Sequence, residues 1–222
     1  MKFQKTFLTL AVLLATGAAQ AQTTGTWMLR GGVMNVTPDV SSGDITAPGL
    51  PGSKIDSNGN TQPGGGITYM VTDHWALDLP LALPFKHTIS GAGVIAGTGK
   101  VGEVKALPMT LLGQYRFGEA DAKFRPYLGA GLTYAKFFKE RGNGTMTALT
   151  GGTSSVPTTF SIQSKLALTL QVGGTVALNE RWFVEGMVAK TLLKTRATFS
   201  TGQTVDVKLD PLVLSLGVGY RF

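Results

Sequence analysis

From Leu212 to Phe222 an apolar or aromatic residue stands at every second position: Leu212, Leu214, Leu216, Val218, Tyr220 and Phe222. Between them stand Val213, Ser215, Gly217, Gly219 and Arg221. A period of two means a strand with two unlike faces. An apolar face that ends on aromatics fits the closing strand of a transmembrane β-barrel, where aliphatic side chains meet lipid and aromatic rings sit at the interface. The competing home for such a strand is the edge of a soluble sheet.

The beginning of the chain bears on that choice. Lys2 and Lys5 precede an apolar run rich in Leu and Ala, and Ala19-Gln20-Ala21 supplies the small-x-small pattern of a cleavage site. Residues 1–21 therefore read as a secretory signal peptide cleaved after Ala21, leaving residues 22–222 as the mature domain. The apolar core of the leader is too short for a bilayer, which needs ~20 residues. No later segment reaches that length without a Gly, a Pro or a charge. A membrane-embedded mature chain must then be a closed barrel, because open sheet edges cannot be satisfied in lipid. The sequence has no cysteine, so neither disulfides nor thiol chemistry enter. Removing the leader's two lysines lowers the formal charge from +7 to +5. That charge is mild and unclustered, which argues against nucleic acid as a partner.

Alternation predicts eight strands, at about residues 25–37, 64–71, 75–86, 105–117, 124–138, 161–178, 181–199 and 209–222. The third puts Trp75, Leu77, Leu79, Leu81, Leu83 and Phe85 on one face, an aliphatic stripe with an aromatic at each end. Pro80 and Pro84 interrupt it and predict a bulge or bend. Residues 38–61, 87–102 and 139–159 read as long Gly-, Ser- and Thr-rich loops, the last of them mobile. Thr72-Asp73-His74, 118–123 and Asn179-Glu180 read as tight turns, and Thr201-Gly202-Gln203 as a short final loop. Short turns on one side and longer loops on the other match the periplasmic and extracellular ends of an outer-membrane barrel.

Face chemistry separates this barrel from a soluble carrier of equal strand number. A soluble barrel needs charge outside and a continuous apolar lining. Here the apolar parity of the third, fourth, sixth and eighth strands is free of charge across its centre. The other parity holds Arg30, Asp78, Arg116, Lys165, Glu185 and Arg221. A charge on the lipid face costs a few kcal/mol at mid-membrane, whereas charges inside can pair. The sequence therefore predicts an all-β, eight-stranded antiparallel transmembrane β-barrel. Arg30, Asp78, Gln114, Arg116 and Glu185 are the candidates for a polar network in its lumen, blocking the periplasmic half. Tyr220 and Phe222 are the candidate closing-strand signal, with barrel-assembly machinery as a partner during insertion and outer-membrane lipid thereafter.

Three stretches also carry a family resemblance. Leu209-Asp210-Pro211 with Gly217-Val218-Gly219-Tyr220-Arg221-Phe222 resembles the closing strand of the outer-membrane protein W (OmpW) family. Leu107-Pro108-Met109-Thr110-Leu111 with Gln114-Tyr115-Arg116-Phe117 is similar to that family's fourth strand, and Arg125-Pro126-Tyr127-Leu128-Gly129-Ala130-Gly131 to its fifth. Met109 stands where members often carry a second proline. The resemblance implies a Gram-negative outer-membrane barrel that takes up small hydrophobic molecules and releases them sideways into the bilayer. Pro80, Pro84 and strand glycines are the candidates for an opening in the wall.

Physics narrows the alternatives. Eight strands enclose a space that side chains nearly fill, so a wide aqueous pore is excluded. An enzyme would need a nucleophile and a base in reach. His87 and Ser90 lie close in sequence, but no strong acid partner follows, and His74 sits at a turn on the opposite side. No metal motif, phosphate loop or nucleotide fingerprint is present, and no cofactor is implied. A structural or receptor barrel that works through its loops is the remaining alternative to transport.

Overall fold

The computed structural model describes residues 21–47, 49 and 51–222. The signal peptide expected over residues 1–21 therefore lies, apart from Ala21, outside the described residues. Eight staves form the barrel: β1 (Trp27–Thr37), β2 (Asn60–Met70), β3 (Trp75–Ala82, resuming as Phe85–Gly93), β4 (Lys100–Arg116), β5 (Phe124–Gly142), β6 (Lys165–Ala177), β7 (Trp182–Leu192) and β8 (Leu212–Arg221). Each pairs antiparallel with the next. β8 closes on β1, with Met28 opposite Arg221 and Thr37 opposite Leu212. Closure of β8 on β1 leaves neither terminal strand with a free edge, which lipid requires.

Outward residues of the staves form an apolar belt. Leu29, Val33, Leu77, Leu79, Leu111, Leu132, Leu168, Leu170, Leu214 and Leu216 are all exposed. At the end of the barrel holding both Trp27 and Phe222 the belt finishes in rings: Trp27 on Tyr69, Trp75 on Tyr115, and Tyr220 between Trp182 and Phe222, with centroids 4.7–5.2 Å apart. Rings with an apolar body and a polar tip suit the membrane interface. This end carries the short turns.

Beyond the other end of the belt the staves continue into a canopy. Ser41–Ser42, Thr204–Lys208, Lys194–Phe199 and Phe160–Ile162 form a second sheet, and Ser53–Ser57 adds to the edge of β3. The helix Gly144–Leu149 is capped by Asn143, whose side chain accepts from the Met146 amide. Ile45, Ile89, Val101, Val104, Met146, Phe160, Phe199, Val205 and Val207 make one apolar core beneath it.

Four sequence expectations need correction here. Phe85 does not face lipid: it is 1% exposed and points inward. The break at Leu83-Pro84 interrupts the pleat, so parity inverts and Lys86 turns outward instead. Residues 87–102 are mostly strand, because β3 and β4 pair as far as Ser90 and Lys100. Residues 139–159 are not a featureless mobile loop; they hold the end of β5 and the buried face of the helix, Met146 and Thr147. The seventh strand stops at Leu192, and Lys194–Phe199 leaves the barrel to pair with Thr204–Lys208. The last connection is therefore a long canopy hairpin on the same side as the other long loops.

Candidate functional site

The lower lumen, nearest the aromatic rings, is filled by a polar network. β1 carries Arg30 inward, and its guanidinium meets Asp78 of β3 in a two-pronged pair at 2.7 and 3.0 Å. The Thr68 hydroxyl donates to the same carboxylate at 2.6 Å. Arg30 Nε reaches Glu185 of β7 at 3.1 Å, and the Tyr127 hydroxyl donates to Glu185 at 2.9 Å. Gly66 makes room for this: a Cβ there would lie 2.6 Å from the Arg30 guanidinium. Arg116 stacks 4.7 Å over the Tyr127 ring and donates to the side-chain oxygens of Gln22 and Gln114, both at 2.9 Å. Gln114 in turn donates to Gln171, and Gln22 to Thr175. Arg125 donates to backbone carbonyls of Gln22 and Asp73, tying the N-terminal segment to the β2–β3 turn. On the outer side of that turn, the Thr24 amide and hydroxyl hold the Asp73 carboxyl below its usual range. Two-pronged, charge-assisted pairs of this kind are what make buried charge tolerable.

Above the network the lumen changes character. Thr110, Thr133, Thr169 and Thr191, one on each of β4 to β7, join hydroxyl to hydroxyl at 2.8, 2.6 and 2.8 Å. Each uses its neighbour as a partner, so a row of polar atoms is satisfied without water. Over that belt lies an apolar chamber with a cavity of about 140 Å³. Met34, Phe85, Ile89, Val104, Phe160 and Phe199 are among its walls. His87 also lines it, with Nδ1 2.8 Å from the Asn58 carbonyl.

The chamber meets a break in the barrel wall. β3 and β4 pair at Trp75–Asp78 with Tyr115–Leu112, and again from Phe85 with Ala106. Between these two ladders Leu79–Pro84 and Leu107–Leu111 are not paired with each other, although each pairs with its other neighbour for most of its length. The hydrogen-bond phase explains why. The His74 carbonyl accepts from Arg116 of β4, whereas the Trp75 carbonyl accepts from Val71 on the β2 side. Alternation then aims residues 76, 78, 80 and 82 at β4, and residues 108, 110 and 112 at β3. A continued register would set Pro80 against Thr110 and Ala82 against Pro108. Each of those pairs lacks one N–H, because proline has none. Pro80, Leu81, Ala82, Pro108 and Thr110 all border the chamber.

Comparison with known proteins agrees with this architecture. The OmpW family model matches residues 23–222. Outer membrane protein W of Vibrio cholerae is 36% identical, over 99% of this chain and all of that one. The chain belongs to the OmpW family. The crystal structure of OprG from Pseudomonas aeruginosa superposes with a TM-score of 0.80 at 34% identity, covering 91% of this chain and 98% of that one. A more distant relative, Dibenzothiophene metabolism operon protein DoxH of Pseudomonas sp. (strain C18), is 27% identical over 88% of each chain. As an OmpW-family barrel the protein spans the outer membrane, with the canopy outside the cell and the aromatic rings toward the periplasm.

Of the candidates read from sequence, Arg30, Asp78, Gln114, Arg116 and Glu185 come together in the lower lumen within this OmpW-family barrel. Pro80 and Pro84 border the unpaired seam, and Tyr220 and Phe222 lie in the periplasmic rings. Sequence reading passed over Gln22, Thr68, Arg125 and Tyr127 as network members, and Pro108 as the facing proline. Pro108 was visible as a third proline at a strand position.

Proposed function

We propose that this OmpW-family barrel takes up small apolar molecules from outside the cell and releases them sideways into the outer membrane. The solute enters the chamber under the canopy and is stopped below by the threonine belt and the charged network. It leaves between Leu79–Pro84 and Leu107–Leu111, where no ladder must be broken. Transfer from a wet entrance to acyl chains is downhill by ~25 cal/mol per Å² of apolar surface removed from water. The observation that carries this reading is the phase of the two prolines: Pro80 and Pro108 each withhold a donor from the same seam. The dibenzothiophene-operon relative supports the apolar class of solute. In this reading the protein performs no catalytic step, and Tyr220 with Phe222 serves the barrel-assembly machinery on insertion.

The test is uptake of a labelled medium-chain alkane by cells lacking the protein, cells expressing it, and cells expressing Pro80→Val/Pro108→Val. A small sugar serves as the control. Expression should raise alkane entry and leave sugar entry unchanged, and the double variant should return alkane entry to background. The double variant should also be more stable, by ~1 kcal/mol for each ladder bond regained. Full alkane uptake by a double variant that has gained stability would remove the sideways exit. Equal entry of both solutes with and without the protein would remove transport.

A further inference from the structure

Just above the apolar belt, on the outside of the barrel, β3, β4 and β5 carry a cluster of cations. Lys86 lies opposite Lys105 across the β3–β4 ladder. Lys105, Lys139 and Arg141 border the same groove of about 220 Å³, together with Lys86 and Glu103. Lys105 follows Leu107 and Met109 on the outward face of β4, so it stands about 7 Å above the nearest lipid-facing side chain at ~3.3 Å per residue. Lys136 stands likewise beyond Tyr134 on β5. Glu103 accepts from Lys86 at 2.9 Å and Lys100 at 2.8 Å. Those two donors push its carboxyl down to about 2, so its charge is taken up by them at any physiological pH. Lys105, Lys139 and Arg141 form no ion pair among the described residues.

The backbone around Lys139 is unusual. Glu103 pairs with Arg141 and Lys105 with Phe138, so Lys139 and Glu140 together oppose the single residue Val104. Lys139 holds φ at 55°, in the left-handed region. A bulge with its first residue in that region ordinarily carries glycine there. Here a lysine is kept in a conformation that disfavours a side chain, and that side chain lines the cationic groove. Strain of this sort persists where the surrounding structure or a function maintains it.

We propose that this groove binds the phosphorylated headgroup of lipid A in the outer leaflet. The outer leaflet of a Gram-negative outer membrane is made largely of this glycolipid, whose phosphates lie directly above its acyl chains. The groove is continuous with the lipid belt, faces that leaflet, and offers three cations without protein partners. Arginine and lysine at such a level are suited to phosphate, the former by a planar two-pronged fork. The inference goes beyond solute transport: it concerns the outer wall, not the lumen.

The experiment compares full-length mature protein with Lys105→Gln/Lys139→Gly/Arg141→Gln and with Lys139→Gly alone, each folded in detergent micelles. Labelled bisphosphorylated lipid A and the same lipid stripped of phosphate are titrated separately, and heat-modifiable gel mobility verifies the folded barrel. The parent should hold the bisphosphorylated lipid at least about tenfold more tightly than the triple variant, and the stripped lipid equally weakly in both. Lys139→Gly should lose about fivefold in lipid A affinity while its unfolding midpoint stays or rises, a split that a purely structural lysine would not give. Equal retention of the two lipids by the parent, or undiminished retention by a folded variant, would overturn the proposal. If the triple variant does not fold, the single variant decides alone.

Discussion

The two halves of the lumen solve the same packing problem with opposite chemistry. Below, Arg30, Asp78, Arg116 and Glu185 are buried, and the site stays tolerable because most donors find an oxygen or a ring, with Arg116 Nε and Gln171 Nε2 among the exceptions. Above, Met34, Phe85, Ile89 and Val104 help enclose a cavity whose exposed wall is mostly apolar. The lower half is specified by directional pairs and has little freedom to move. The upper half is held by undirected apolar contact and retains empty space. A barrel that works as proposed, stopping water yet admitting an apolar guest, needs both, and the threonine belt is where one gives way to the other.

The largest effect should come from breaking the lower half. Asp78→Ala removes both oxygens of the two-pronged pair and the acceptor of Thr68, leaving buried Arg30 with Glu185 as its one carboxylate and the Thr68 hydroxyl as a neutral acceptor. Removing one partner of a buried ion pair costs ~3–5 kcal/mol. Denaturant unfolding in micelles should show a loss in that range. A loss under ~1 kcal/mol would mean the network is not what makes the lower lumen rigid, and the contrast between the halves would fail.

A smaller effect should follow at the boundary. Thr169→Val keeps the shape but removes a hydroxyl that bridges Thr133 and Thr191. Each neighbour loses a partner in a buried site, for ~1–2 kcal/mol in all. Thr110→Val, at the end of the row, breaks one contact and should cost about half as much. Equal costs from the end and the middle would show that the row does not act as a connected belt. The same unfolding assay reads both variants.

These contrasts were legible in the sequence to different depths. Inward and outward faces could be read because a period of two is local, and charge on one parity identified Arg30, Asp78, Arg116 and Glu185. Their partners could not be read in the same way. Gln22 lies before the first strand, and Tyr127 looks like any aromatic until Glu185 and Arg116 close on it from other staves. Phe85 was placed outside because parity was carried through Pro84, and a single break in the pleat inverts every residue beyond it. The canopy escaped notice for a related reason. Ile45, Val101, Met146, Phe160 and Val205 are single apolar residues among Gly, Ser and Thr, and they become a core only once distant loops meet. The seam was half visible: Pro80 and Pro84 stood out, but only the ladder phase shows that Pro108 faces the same gap.

The smallest effect should separate the canopy from the barrel by pH. Arg196 donates twice to Asp206, at 2.6 and 2.9 Å, and holds that carboxyl below its ordinary value of 3.8. Lys54, with the Gly52 amide, does the same for Asp44. A carboxyl whose value is lowered on folding contributes stability that is fully present above its unfolded value and disappears as pH falls through the lowered one. Both pairs lie in the open, where screening by water leaves each a minor contribution. Hydrogen exchange, corrected for intrinsic rate, should therefore find canopy amides such as Val205 and Val207 less protected below about pH 4 than at pH 5. The staves below the threonine belt should keep their protection, since their ladders close on themselves around the barrel. Simultaneous loss in both regions would mean that canopy and barrel open as one unit, and a solute could then not enter the chamber without loosening the wall.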